Sequence, residues 1–181
     1  VTGGFIATEH LIKIGYSDIG YVNGEEGNLI GEARKRGYIK ALTEHNLPVN
    51  ENYLYRIKVK GKRGDYMSGY DVGMEFCKRS VRPRAMFIYN DLSALGFIDA
   101  LDNFGLKVPE DVAIIGFDDI AGGITLQNRL TSVHQPANKI GKLAVKNLLK
   151  MINGESVDPT NKRILKPKLV VRKSCGAKKN S

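Results

Sequence analysis

Val112-Ala113-Ile114-Ile115-Gly116-Phe117-Asp118-Asp119 decides the fold. The run is apolar without interruption until it stops on two carboxylates. A strand with one wet face alternates apolar and polar residues. A strand covered on both faces reads as continuous Val, Ile and Phe, and such strands are characteristic of parallel sheets between helical layers. Ala85-Met86-Phe87-Ile88-Tyr89 followed by Asn90-Asp91 repeats the pattern upstream, as does the shorter stretch 18–23 (DIGYVN).

Between these runs the spacing of apolar residues changes from strand-like to helical. Residues 4–14 place Ala7, Leu11 and Ile14 on one helical face, with Gly15 just past the end as a C-terminal cap. Helices are predicted over 30–45, 68–79, 92–104 and 136–152, the last opened by Pro136, which suits a first helical turn. Strands are predicted over 18–23, 53–59, 85–89, 112–117, 130–134 and 165–172. Strand and helix alternate, which predicts an α/β fold with a doubly wound parallel sheet. In such sheets ligands sit beyond the carboxyl ends of the strands.

Those ends carry Asn23-Gly24-Glu25-Glu26-Gly27-Asn28, Asn90-Asp91 and Asp118-Asp119, and the second strand runs into a basic loop, 60–65. Arg34 lies early in the helix after the first strand and can reach the same rim. Its planar guanidinium suits bidentate bonds to vicinal hydroxyls or a carboxylate. Asp118 can accept two hydroxyl protons, and Asn90 can donate and accept. This inventory fits a neutral polyol or sugar better than a phosphate. Asp and Asn after strands also cap helices, so either Asn90 or Asp91 is expected to cap 92–104. Asp119 is the expected cap in the second pair, which leaves Asp118 for a ligand.

Composition bounds the alternatives. The chain has 181 residues, 42% hydrophobic and 26% charged, ordinary values for a globular domain. No apolar run approaches the roughly 18 residues of a membrane span. Two distant cysteines, Cys77 and Cys175, are neither a disulfide framework nor a metal site, which points to a reducing cytoplasm. His10, His45 and His134 have no zinc-ligand spacing. The net charge of +9 raises the prospect of nucleic acid. The charges crowd the basic loop and the C-terminal end, however, with no helix-turn-helix or zinc finger beside them. No G-x-S-x-G, P-loop or G-x-G-x-x-G is present. The expectations are therefore no enzyme, no cofactor and no metal.

The motifs resemble one family in order along the chain. They are Gly3-Gly4-x-x-Ala7-Thr8-x-His10-Leu11-Ile12-x-x-Gly15-Tyr16-x-x-Ile19, Arg34-x-x-Gly37-Tyr38-x-x-Ala41-Leu42 and Ala85-Met86-Phe87-Ile88-Tyr89-Asn90-Asp91-x-x-Ala94-x-Gly96. Gly105-Leu106-x-Val108-Pro109-x-Asp111-Val112-x-Ile114-Ile115-Gly116-Phe117-Asp118-Asp119 is the fullest match, followed by Leu130-Thr131-Ser132-Val133-x-Gln135-Pro136 and Leu169-Val170-Val171-Arg172-Lys173-Ser174. Together they resemble the effector-binding domain of LacI/GalR-type transcriptional repressors.

The resemblance implies the C-terminal lobe of a type I periplasmic-binding-protein-like fold, built from 1–135 and 163–174. It places 136–162 in the N-terminal lobe, leaves 175–181 as a disordered tail, and puts the DNA-binding headpiece outside this chain. It implies a small-molecule effector of the sugar class, held by Arg34, Asn90 and Asp118, with Tyr66 as the aromatic of the loop after the second strand. It also implies a homodimer and, through the headpiece, operator DNA. Residues 92–104 carry two apolar stripes. Leu95 and Ile98 are expected to face the sheet, and Ala94, Phe97, Leu101 and Phe104 to form the dimer seam. The stripe Ile140, Leu143, Ala144, Leu148, Met151 and Ile152 has no host sheet within the chain and would otherwise lie exposed, so it is expected to pack on a neighbour or to be poorly ordered. A periplasmic sugar-binding protein of a transport system shares the lobe fold and is the rival reading, and an α/β enzyme acting on a sugar is a weaker one.

Overall fold

A computed structural model describes residues 1–58, 65–120, 129–155 and 164–177. The elements run α1 (Thr2–Lys13), β1 (Ile19–Asn23), α2 (Leu29–Glu44), a 3-10 turn (Glu51–Tyr53), β2 (Leu54–Arg56), α3 (Asp65–Lys78), β3 (Ala85–Ile88), α4 (Asp91–Asn103), β4 (Ala113–Asp118), β5 (Thr131–His134), α5 (Ala137–Ile152) and β6 (Lys168–Val170). They form a six-stranded sheet in the order β2-β1-β3-β4-β5-β6. Strands β1 to β5 are parallel, as their apolar runs required. β6 pairs antiparallel to β5, the one exception among the described strands to the expected parallel sheet. A parallel neighbour needs a crossover helix packed on the sheet. α5, the only helix between β5 and β6 among the described residues, buries none of its residues.

Alternation of side chains sorts the core onto two faces. Tyr21 and Phe87 are register partners and share a face with Tyr38 of α2 and with Phe117. Tyr55 pairs with Val22, so it faces the other way, toward Phe76 of α3, which meets Phe97 of α4 edge-on at 5.1 Å. The helices of each layer cross very closely. A Cβ on Gly37 would stand 2.1 Å from the Val1 carbonyl oxygen, and one on Gly96 1.9 Å from that of Tyr66. Helix ends follow the sequence signals. Asn28 caps α2 at the Gly31 amide, and Gly15 takes φ +104 just after α1.

Three further expectations change. Ala94, Phe97 and Leu101 are 0% exposed, so they present no surface to a second copy, and only Phe104 of the expected seam is open. Phe97 packs on Phe76 of α3, Gly73 of α3 lies against Phe97 and Ala100, and α4 also packs on β3 and β4. The start of the expected disordered tail is ordered. Cys175 is fully buried with its Sγ 3.5 Å from His10 Nε2, and Ser174 Oγ donates to the Ile114 carbonyl at 2.7 Å. These bonds tie 174–175 to β4 and α1; residues 178–181 lie outside the described set. The strand expected over 53–59 is confined to Leu54–Arg56, with Val59 also outside.

The stripe on α5 is uncovered within this chain. Ile140, Leu148, Met151 and Ile152 are all about half exposed or more. Among the described residues no helix is long and apolar enough to cross a membrane, no group of side chains suits a metal ion, and both cysteines are free and buried.

Candidate effector site

The chain winds outward from β1 to β2 and then back across to β3, so the topological switch point lies between β1 and β3. Ligands of open α/β sheets bind beyond the strand ends at such a point. Here the carboxyl end of β3 carries Tyr89 and Asn90, that of β4 carries Asp118, and β5 leads into Gln135.

Arg34 spans this rim from the second turn of α2. Its Nη1 donates to the Tyr89 carbonyl, and its Nη2 donates to Asp118 Oδ1 at 3.0 Å. The guanidinium lies 3.6 Å from the centroid of the Phe117 ring, close enough for the ring quadrupole to attract it. Its side chain is only 9% exposed, that of Asp118 29%. Asp118 Oδ1 also accepts from Gln135 Nε2. Burial pushes the Asp118 carboxyl above its ordinary value, against the pull of Arg34 and Gln135. Asp118 and Asp119 have φ of +108 and +52. Such backbone is rare for non-glycine residues and concentrates at functional sites. The turn sends the two carboxylates apart. Asp119 receives Arg172 Nη2 at 2.7 Å and lies 2.9 Å from His134 Nδ1. Burial opposes its charge, but Arg172 and His134 hold its carboxyl below the usual value. It therefore joins the ends of β4, β5 and β6; the segment it was expected to cap, 121–128, lies outside the described residues.

Asn90 does cap a helix. Its Oδ1 accepts from the Ser93 amide at 2.8 Å, and its Nδ2 donates to Asp65 Oδ2 at 2.9 Å. Asp91 is drawn inward. Its Oδ1 accepts from Ser132 Oγ at 2.7 Å and its Oδ2 from the Ile120 amide at 3.0 Å. Burial raises the Asp91 carboxyl to about 6, with Asp118 and Asp119 adding to the rise and the two donors opposing it. Tyr66 is not brought to the rim. Its hydroxyl donates to Asp99 in the middle of α4, so it lies along the outer side of the α3–α4 pair.

The structure thus joins Arg34 to Asp118, sets Asn90 beside them as a cap, and leaves Tyr66 out. Sequence reading missed Asp65, Tyr89 and Gln135. Gln135 had a signal, as a polar residue between a strand and the helix-opening Pro136. Asp65 had none, because the loop before it belongs to no recognisable motif.

A family model for a periplasmic binding protein-like domain matches residues 8–175. The chain belongs to this periplasmic-binding-protein-like family. Within it the resemblance is to LacI/GalR-type repressors. The chain is 36% identical over 174 residues to the HTH-type transcriptional repressor PurR of Yersinia pestis (strain Pestoides F), covering 95% of this chain and 49% of the relative. It spans about half the length of the curated relatives it matches. Among solved structures, the Escherichia coli transcriptional repressor ascG superposes with a TM-score of 0.81 at 29% identity, over 95% of this chain and 60% of that one. The CelR–cellobiose complex superposes at 0.82 and 31%, over 95% and 51%. The lac repressor dimer bound to operator and the anti-inducer ONPF does so at 0.80 and 28%, over 97% and 58%. These relatives are regulators, neither transport proteins nor enzymes. The periplasmic-binding-protein-like fold accounts for the position of the Arg34–Asp118 pair, at the switch point of the sheet.

Proposed function

We propose that this chain is the effector-sensing lobe of a LacI/GalR-type transcriptional repressor, and that its effector is a neutral, hydroxyl-rich small molecule of the sugar class. The buried Arg34–Asp118 pair on the strand-end rim carries this reading. It is a pre-positioned donor and acceptor, half open to solvent on the carboxylate side, where a polyol can bridge the two. The CelR–cellobiose relative supports the sugar class. The repressors among the relatives favour operator binding, through a headpiece outside this chain, over the transport reading.

Residues 1–135 and 163–174 then form one lobe, and 136–162 belong to the other, whose sheet would cover the bare face of α5. The effector binds open and closed arrangements of the two lobes unequally and so shifts the geometry of a homodimer. The dimer uses a surface other than Ala94, Phe97 and Leu101. The protein works in the cytoplasm and catalyses no reaction. A thermal-shift screen of the full-length protein against mono- and disaccharides, cellobiose included, tests the reading. A ligand at 100 times its Kd adds roughly 2.7 kcal/mol of stability. Stabilisation that disappears in Arg34→Ala supports it; binding that survives this change refutes the site.

A further inference from the structure

Asn90 is the residue expected to serve the β3 end of the rim, but both of its polar atoms are engaged, one on the Ser93 amide and the other on Asp65. Asp65 stands at the start of α3 and is exposed. Its Oδ1 accepts from the Tyr89 hydroxyl at 2.7 Å and its Oδ2 from Asn90 Nδ2 at 2.9 Å. Its backbone carbonyl receives Ser93 Oγ at 3.1 Å. Two residues at the β3–α4 junction therefore fix the carboxylate, and a third, Ser93, holds the Asp65 backbone. An ionised carboxylate offers about four acceptor sites, and these bonds fill two of them. Among the described residues Asp65 makes no ion pair, whereas the nearby Arg34 is already paired with Asp118. Asp65 and Asp118 are close enough to repel.

We propose that Asp65 is a specificity-determining contact for the effector, an acceptor that selects donor-rich neutral or cationic ligands and rejects phosphorylated ones, with Asn90 and Tyr89 as the positioning residues that aim it. The inference rests on the small-molecule-sensing reading above and adds to it the charge class of the ligand. Among the described residues the rim carries one internally neutralised cation and one carboxylate without an ion pair, which favours hydroxyl or amino groups. A phosphate placed there meets like charge from Asp65 and Asp118.

Calorimetric titration of the full-length protein tests this with matched probes. They are glucose, glucosamine and glucose 6-phosphate; ribose and ribose 5-phosphate; adenosine and AMP; and cellobiose. The tightest binder is expected to be uncharged or cationic, at least tenfold tighter than its phosphorylated counterpart. Asp65→Asn is expected to weaken it tenfold or more and to narrow that preference by a similar factor, while Asp65→Glu restores part of both. The change in charge preference separates a contact from a merely structural role, since loss of fold would weaken all probes alike. A phosphorylated probe binding tighter than its neutral counterpart overturns the proposal. So does an unchanged preference in Asp65→Asn; if Arg34→Ala abolishes binding in that case, the sensing reading stands and only the Asp65 assignment falls. If none of the probes binds, both fall.

Discussion

Arg34 and Asp118 lie 84 residues apart in the chain, and their side chains meet at 3.0 Å across the ends of β1, β3 and β4. The contact helps hold the rim together and is also the polar pair best placed for a ligand. Replacing Arg34 by Ala leaves Asp118 with Gln135 as its remaining donor and uncovers the Tyr89 carbonyl. Removing one partner of a buried pair costs about 3–5 kcal/mol, and the solvent access of Asp118 moderates this toward about 2 kcal/mol. Urea denaturation should show that loss with the fold retained. Arg34→Lys should recover part of the stability but little binding, because an ammonium cannot span both the carbonyl and the carboxylate while lying flat on Phe117.

Asn90 is expected to behave as a structural residue. Asn90→Ala removes the cap of α4, worth about 1 kcal/mol, and frees one side of Asp65. Stability should fall by about 1–2 kcal/mol, and Asn90→Ser, which restores a capping oxygen, should recover most of it. A stability unchanged by Asn90→Ala would mean that the cap is dispensable and return Asn90 to the list of direct contacts.

The strands, the helices and the gathering of Arg34 and Asp118 on one rim were legible in the sequence because each has a local signature. Continuous apolar runs specify covered strands, and the residues after them must sit on one rim. The rest depended on contacts that no local pattern encodes. Whether Phe97 faces solvent or a helix turns on the presence of α3 beside it, and a helix with two apolar stripes reads the same in either case. The direction of β6 depends on where the chain travels between 153 and 167, outside any periodicity. Tyr66 and Asp65 are adjacent and both polar-tipped; only the placement of α3 decides that the carboxylate reaches Tyr89 and the phenol turns to α4.

The crossing of α3 and α4 should be intolerant of a single methyl group. A Cβ at Gly96 would meet backbone, the Tyr66 carbonyl, and not the end of a flexible chain. Gly96→Ala must therefore push the helices apart or bend one of them, a cost of about 1–3 kcal/mol typical of overpacking. The same change at Gly141 on α5, where a Cβ meets nothing, should be neutral or slightly stabilising through helix propensity. Parallel denaturation curves of the two variants check the contrast.

Stability should carry a signature of Asp91. Its carboxyl is raised from an ordinary 3.8 to about 6 in the folded protein, so between those values the native state binds more protons than the unfolded chain. The linkage relation then makes this group's contribution fall as pH rises from about 4 to 6, and level off above. Two pKa units correspond to about 3 kcal/mol at most. Asp119, whose carboxyl is lowered, acts in the opposite sense and loses its contribution as pH falls through its folded value. Asp91→Asn should shrink the decline between pH 4 and 6, part of which belongs to the raised Asp118, whereas Asp119→Asn should leave that range nearly unchanged and remove stability that is otherwise lost only below about pH 4. Denaturation midpoints measured across that range separate the two, and a wild-type profile already flat over it, together with no effect of Asp91→Asn, would place the Asp91 proton elsewhere.

The lobe assignment of α5 has its own test. Leu148 and Met151 are 55% and 63% exposed on a helix that buries nothing. Within the 181-residue chain, Leu148→Gln and Met151→Gln should therefore change stability by less than about 0.5 kcal/mol, as substitutions at exposed sites do. They should also reduce self-association, because a bare apolar face of this kind is an aggregation hazard. In a full-length protein whose second lobe covers α5, the same residues would be core. There each substitution buries a polar amide and removes apolar contacts, which costs about 2–5 kcal/mol for a fully buried Leu or Met. The decisive measurement is the pair of denaturation experiments, one on each form. Equal small effects in both would mean that α5 stays bare in the whole protein and that 136–162 does not belong to a second lobe. A large effect confined to the longer form would show that α5 is the segment this chain lends to its neighbour.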